Sequence, residues 1–397
     1  MLRRLGMTLL ILALFAAEIL RVYFIMPFPG SQTHQHLDIA YWLHRNIWWI
    51  RVLGGLALLF TVVQTFRKRH WLLKTGIVIV SILYLFLFYL FNFKFTADHI
   101  FYQPKHKLLA DASSNKVDER SLVIGVMLHG ESHAYPIRQM GFHHQVQDTI
   151  GGEPVMVTYC TVCRTGRVFS PMVKGKHEKF RLVGMDHFNA MFEDAGTGSW
   201  WRQVSGEAVE GPLKGQVLTE IPCQQMTLHE WFRMHPGSLV LQPDPTYAKH
   251  FQSLADYEAG DTTGGLEGTD RASWKDHSWV LGVQVNQTAK AYDWNMMRKN
   301  MLTEDVVGGK ALAIVVLPDQ VNYFVWDASP GDRPDLHFTL VRDSAVMHEQ
   351  ESGTTWSLTG ECLSGKWKGQ QLDPVQASQE FWLSWKTFHP KTQVYKP

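Results

Sequence analysis

Two long stretches of this chain repeat one another, and no other feature limits the fold as strongly. Leu122-Val-Ile-Gly-Val-Met-Leu-His-Gly-Glu-Ser-His-Ala-Tyr135 reads against Trp279-Val-Leu-Gly-Val-Gln-Val-Asn-Gln-Thr-Ala-Lys-Ala-Tyr292. Gly151-Gly152 and Gly308-Gly309 hold the same offset. Ser205-Gly-Glu against Thr359-Gly-Glu, and Trp231…His235-Pro236 against Trp385…His389-Pro390, follow at a slightly shorter one. At 397 residues the chain exceeds one ordinary domain, and duplication accounts for the excess. At the first offset Cys160 faces Leu317, Cys163 faces Gln320 and His143 faces Asn300. Both copies keep the scaffold and only the first keeps soft ligands, so the cysteines are not needed for the fold.

The first hundred residues are membrane-like. Residues 7–26, 47–66 and 71–91 are each predominantly apolar and about 20 residues long, the length that crosses a bilayer. Tyr41, Trp42, Trp48, Trp49 and Trp71 lie near segment ends, where an aromatic belt belongs. Arg3-Arg4 precede the first span and Arg67-Lys68-Arg69 fill the loop between the second and third. The positive-inside rule therefore puts the N-terminus in the cytoplasm and everything after Asn92 outside the cytoplasmic membrane, in the periplasm or beyond the cell. A cleaved signal ending near Ala16-Ala17 is the rival reading, and it leaves the same topology. Glu18 and Arg21, spaced i, i+3 inside the first span, read as a local pair, with Arg21 snorkelling outward.

Residues 100–120 read as a polar tether, 121–246 as the first repeat, 247–277 as a linker or long surface loop and 278–397 as the second repeat. Within a repeat the pattern is a hairpin, a short helix, several strands, a helix near Met226–Met234 and a last strand. The expected fold is N-terminal transmembrane helices followed by a mainly β (α+β) extracytoplasmic domain of two tandem homologous repeats, as a distorted barrel or sandwich. Lys and Arg total 38 against 37 Asp and Glu, a balance that gives no nucleic-acid footprint. Four cysteines are too few for a disulfide-built scaffold.

The string Ala134-Tyr-Pro-Ile…Phe142-His143…Asp148-Thr-Ile-Gly-Gly…Val157-Thr-Tyr-Cys-x-x-Cys163…Gly198-Ser-x-Trp-x-Gln…Ser205-Gly-Glu-Ala208 resembles domain-of-unknown-function family 3179. That family reads A-Y-P-[LI], W-H-E-[IV]-V-N-D, G-G-x-P, V-T-Y-C-P-L-C-G and G-S-x-W-S-Q-x-T-G-E-A. Here Phe142 stands for the Trp, His144 for the Glu, and Arg164 for the Gly after the second cysteine. The resemblance implies a fold and a site location without supplying a reaction.

A Cys-x-x-Cys pair can grip one metal ion or form one disulfide. His143 is the best third ligand, with His144 and His187 as weaker additions. Two thiolates and an imidazole leave a position open, which suits one copper, catalytic zinc or iron ion, redox-active or not, and no nucleotide cofactor is indicated. A thiol–disulfide oxidoreductase using Cys160 and Cys163 is the second reading. It is weakened because a strand rather than a helix follows the motif. A non-catalytic binding or assembly module is the third. Cys223 and Cys362 read as small packing residues, Glu207, Glu361, Asp148 and Asp305 as structural, His129 and Arg164 as solvated turn residues, and His133 as exposed strand. The bilayer is the one partner expected; the substrate is open.

Overall fold

A computed structural model describes residues 2–33, 36–329 and 335–397; the side chains of residues 2–4, Arg3 and Arg4 among them, lie outside that description. The chain forms two compact units, Met1–Tyr102 with Glu178–Val217, and Gln103–His177 with Leu218–Pro397.

In the first unit, α1 (Leu2–Tyr23), α2 (Leu37–Phe66) and α3 (Trp71–Tyr89) are long and apolar enough to cross a membrane. Helix α2 begins ten residues before the apolar run expected at 47–66, because Asp38, His44 and Arg45 interrupt the hydropathy but not the helix. Gly54 lets α1 pack closely: a Cβ there would stand 2.7 Å from that of Leu14. The expected i, i+3 pairing of Glu18 with Arg21 is present as an ion pair at 3.9 Å, and a second arginine joins it: Arg51 of α2 holds the fully buried Glu18 carboxylate through two bonds of 2.7 and 2.9 Å. Asn92 accepts from both Arg51 and Arg21, and Arg21 also donates to the Phe91 carbonyl, so Arg21 is buried rather than snorkelling. A charge removed from water needs all its hydrogen-bonding capacity met, and one neighbour three residues away cannot do that.

The same unit holds a four-stranded antiparallel sheet, in the order Ala208–Glu210, Trp200–Arg202, Asn189–Asp194, Phe180–Asp186. It joins the helical segment through Met185 N–H to the Ile25 carbonyl at 2.7 Å and Tyr41 hydroxyl to the Gly198 carbonyl at 3.0 Å. From sequence these residues fall inside the first repeat; in the structure they group with the helices.

The second unit contains the rest of both halves. Its first sheet runs Leu109–Ala110, Leu239–Leu241, Glu131–Pro136, Leu122–Leu128, Gln224–Thr227. The segment read as a tether thus supplies an edge strand. Helix α4 (Ile137–His143) follows Pro136 directly and leads into a second sheet, Glu220–Ile221, Thr165–Phe169, Glu153–Cys160, Gln145–Ile150. Helix α5 (Leu228–Met234) continues from the edge strand, its start capped by the Thr227 hydroxyl. The segment read as a linker carries α6 (Ala248–Ser253) and α7 (Ala255–Ala259), with Phe251, Tyr257 and Glu258 buried.

The second half repeats the strand order. Ala377–Phe381, Trp279–Val285, Thr288–Asp293 and Gln393–Val394 form one sheet, α8 (Trp294–Asn300) follows its hairpin, and Leu302–Val307, Lys310–Val316 and Tyr323–Asp327 form the next. A four-stranded sheet, Phe338–Val341 to Cys362–Ser364, and α9 (Trp382–Phe388) complete it. These are separate small sheets, with no closed barrel among the described residues. Val123, Met226 and Trp231 share one apolar core with Ala313, Phe324, Trp326 and Trp356, so burial joins the halves.

Candidate functional site

The Cys-x-x-Cys motif forms the tip of a hairpin. Strand Glu153–Cys160 pairs with Thr165–Phe169 in a register that sets Tyr159 opposite Gly166 and Cys160 opposite Thr165. Thr161 to Arg164 are therefore a four-residue loop, closed by the Arg164 N–H to the Thr161 carbonyl at 3.3 Å. Both cysteines are buried, and none of the four in the chain forms a disulfide.

Helix α4 brings the histidines to the same hairpin. His144 ends it in the left-handed conformation, φ +60°, and its carbonyl accepts the Tyr159 N–H at 2.9 Å. Gln145 then pairs with Thr158. The register thus sets His143-His144 level with Tyr159-Cys160 in the neighbouring strand. The His143 ring lies among Phe142, Tyr247 and Phe251 at 5.2 to 5.5 Å. Burial pushes the His144 imidazole down to about 4; a hydrogen bond with the Phe142 backbone opposes this, and neighbouring His143 adds to it. His144 is therefore neutral at ordinary pH, the form that ligates metals. His187 belongs to the first unit, where it bonds Asp186 at 2.6 Å. Among the described residues no three His, Cys, Asp or Glu side chains are gathered as a ready-made cation cage.

The segment after Asp244 covers the loop. The Tyr257 hydroxyl donates to the Thr161 carbonyl at 3.0 Å and meets the Tyr159 hydroxyl at 3.0 Å, while Thr161 Oγ1 bonds Glu267. Arg164 corrects the expectation of a solvated turn residue: it is fully buried at φ +57°. Its guanidinium donates to the carbonyls of Tyr257 and Glu258 at 3.1 and 3.0 Å and lies 3.7 Å over the Trp279 ring. From the second half, the Phe381 N–H donates to the Cys163 carbonyl at 3.0 Å.

His133 is likewise buried rather than exposed. Its ring lies between Asp148 at 3.3 Å and Glu131 at 2.8 Å, and the Tyr135 hydroxyl donates to Asp148 at 2.7 Å. In the second half Lys290 and Tyr292 bind Asp305 in the same way, at 2.6 and 2.8 Å. Cys362 is buried and Cys223 half-buried, and burial pushes both thiols up, Cys223 to about 11, which disfavours their thiolates. Cys223 lies at a cleft of about 750 Å³, lined by Trp231, Tyr323, Phe324, Trp326, Gln224 and Gln376. Sequence gave no signal for the covering segment or the cleft, since both are assembled by residues far apart in the chain.

A family model described as a protein of unknown function (DUF3179) matches residues 101–392. No curated protein and no solved structure matches the chain.

Proposed function

The chain belongs to the DUF3179 family, and within it we propose a membrane-anchored protein whose exported part binds one transition-metal ion at Cys160 and Cys163, with His143 or His144 as a further ligand. One observation carries this reading: the strand register sets the His143-His144 end of α4 level with Cys160, at a hairpin tip that already holds two buried thiols. The donors fit a soft ion, because thiol sulfur and neutral imidazole are the ligands copper, zinc and iron accept in proteins. Bound there, the ion supplies a Lewis-acid or one-electron centre. The residues around it hold the loop, through Tyr257 and Arg164, and exclude water. The dithiol reading has less support, since both thiols are buried and the loop runs into a strand, with no helix N-terminus to stabilise a thiolate.

The three apolar helices support anchoring, and the basic loop Arg67-Lys68-Arg69 supports an orientation with the N-terminus inside and the second unit's residues exported. The duplicated strand order supports two homologous repeats, of which the second is degenerate at the site. The cleft supports a second reading, a binding module for a small organic ligand, because its volume is that of small-molecule sites and aromatic and amide groups line it together with Arg233 and Glu361. Metal content by mass spectrometry, with a free-thiol count, tests the first reading on the full chain purified in detergent without a metal-binding tag. About one metal ion per chain, lost in Cys160→Ser/Cys163→Ser, is expected; equal metal content in wild type and variant refutes it.

A further inference from the structure

We propose that Arg164 is the fixed counter-charge of an anionic metal–dithiolate at Cys160 and Cys163, and that the ion selected there is monovalent copper. This rests on the metal reading above and adds the charge and identity of the ion. Three arginines in the described chain are buried: Arg21, Arg164 and Arg167. Arg21 has Glu18 at 3.9 Å, and Arg167 has Glu380 at 3.2 Å and Glu220 at 3.6 Å. Arg164, the most deeply buried of the three, forms no ion pair among the described residues. Its neighbours are two carbonyl oxygens and the faces of Trp279 and Tyr257, and its Nε is buried without a hydrogen-bond partner. Glu258 lies within electrostatic reach of Arg164, but its carboxylate is bound by Arg138 and by the Leu122 N–H at 2.6 Å, so that one negative charge serves two arginines. Carbonyl dipoles and ring quadrupoles solvate a cation but do not cancel its charge, and a whole charge buried without a partner is costly.

The position itself offers no backbone reason for arginine. A φ of +57° favours glycine. The guanidinium clamps the covering segment through two carbonyls, a neutral task that leaves its charge unmatched, and it is next in sequence to Cys163. When Cu⁺ binds two thiols, two S–Cu bonds form, two S–H bonds break and both protons leave to solvent. The product, [Cu(SR)₂]⁻, carries one negative charge and balances Arg164. A divalent zinc or iron ion on the same two thiolates, with or without a neutral imidazole, is uncharged and leaves the guanidinium unmatched. Thiolate pairs also favour soft Cu⁺ intrinsically.

The full chain in detergent is titrated with Cu⁺ delivered as its bicinchoninate complex, and separately with Zn²⁺, in wild type, Arg164→Gly and Arg164→Lys. Glycine suits the backbone and removes the charge; lysine keeps it. Arg164→Gly is expected to bind Cu⁺ about tenfold more weakly or worse, equivalent to about 1.4 kcal/mol, with Zn²⁺ affinity unchanged or higher; Arg164→Lys stays within roughly threefold of wild type for Cu⁺. Equal losses for both ions in Arg164→Gly would show a structural clamp only and overturn the inference. X-ray absorption at the copper edge of the wild type gives a test independent of any variant. Two sulfurs per copper are expected, and fewer overturn the anionic complex. Zn²⁺ bound with the cysteines required, but Cu⁺ not retained, overturns this inference while leaving the metal reading standing; no bound metal of either kind overturns both.

Discussion

Replacing Gly125 by alanine tests whether the two halves are built on the same close contact. An alanine Cβ at Gly125 would stand 2.3 Å from Cε3 of Trp231, and one at Gly282 would stand 2.2 Å from Cε3 of Trp385. Neither indole can retreat easily. Trp231 donates to Ser238 Oγ at 2.6 Å and has His235 against its other side at 4.1 Å; Trp385 donates to Thr392 Oγ1 at 2.7 Å with His389 at 3.9 Å. Inserting a methyl into such a contact costs about 3 kcal/mol, the upper end for overpacking, and the loss of glycine's unfolded-state freedom returns roughly 0.5–1 kcal/mol. The net expectation is about 2 kcal/mol, or roughly 4–8 °C in Tm for a unit of this size. Full-length Gly125→Ala and Gly282→Ala are melted in detergent at one scan rate, beside Gly237→Ala, which has no atom within 4 Å of the added Cβ. A Tm within about 1 °C of wild type for Gly125→Ala, or a loss at only one of the paired glycines, refutes the reasoning.

Two further outcomes follow from buried charge. Burial opposes protonation of His133, but its hydrogen bonds with Asp148 and Glu131 outweigh this and raise its pKa in the folded state. Its contribution to stability is therefore complete below the ordinary histidine value of about 6.5 and lost as pH rises through the folded-state pKa. Thermal melts across that window are expected to show a falling Tm that His133→Gln flattens, and an unchanged slope in the variant contradicts the assignment. In the helical segment, Arg51→Leu takes the two shortest hydrogen bonds from the fully buried Glu18 carboxylate, leaving it Asn92, Tyr84 and Arg21 at 3.9 Å, and is expected to cost about 3 kcal/mol, whereas Arg51→Lys keeps the charge and costs less. Melts in detergent that rank Arg51→Lys at or below Arg51→Leu would contradict this.

What the sequence made legible was whatever repeats or alternates locally. The three apolar helices, the paired hairpins at Leu122 and Trp279 and the strand after the Cys-x-x-Cys loop are each written in a run of neighbours. Arg51 was missed because its partner is a helix away, and a single arginine in an apolar run carries no sign of what it faces. His133 reads as exposed because Lys290 stands opposite it in the other repeat; Asp148 and Glu131 make its burial affordable. The cover over the site failed to register for a related reason. Its composition, rich in Gly, Asp and Thr, is that of a loop, and the residues that turn inward, Tyr247, Phe251, Tyr257 and Glu258, do not make a run that marks a buried face.

The second half separates what the fold requires of the site from what chemistry requires. Met301 ends α8 in the left-handed conformation at φ +64°, as His144 ends α4 at +60°, and its carbonyl accepts the Val316 N–H at 2.8 Å, as that of His144 accepts Tyr159. The helix-to-strand joint is thus built twice, once with histidine and once with methionine. Leu317 follows the second joint where Cys160 follows the first, and it is buried in the core shared by both halves. Leucine, methionine, glutamine and asparagine satisfy this geometry without thiol or imidazole, so folding alone leaves Cys160, Cys163, His143 and His144 unexplained. Arg164 sharpens the point, because Val321, at the same offset, is exposed and places no charge inside the protein. A fold that does without a buried cation in one copy, and in the other keeps one next in sequence to Cys163, is what the anionic dithiolate proposed above would account for.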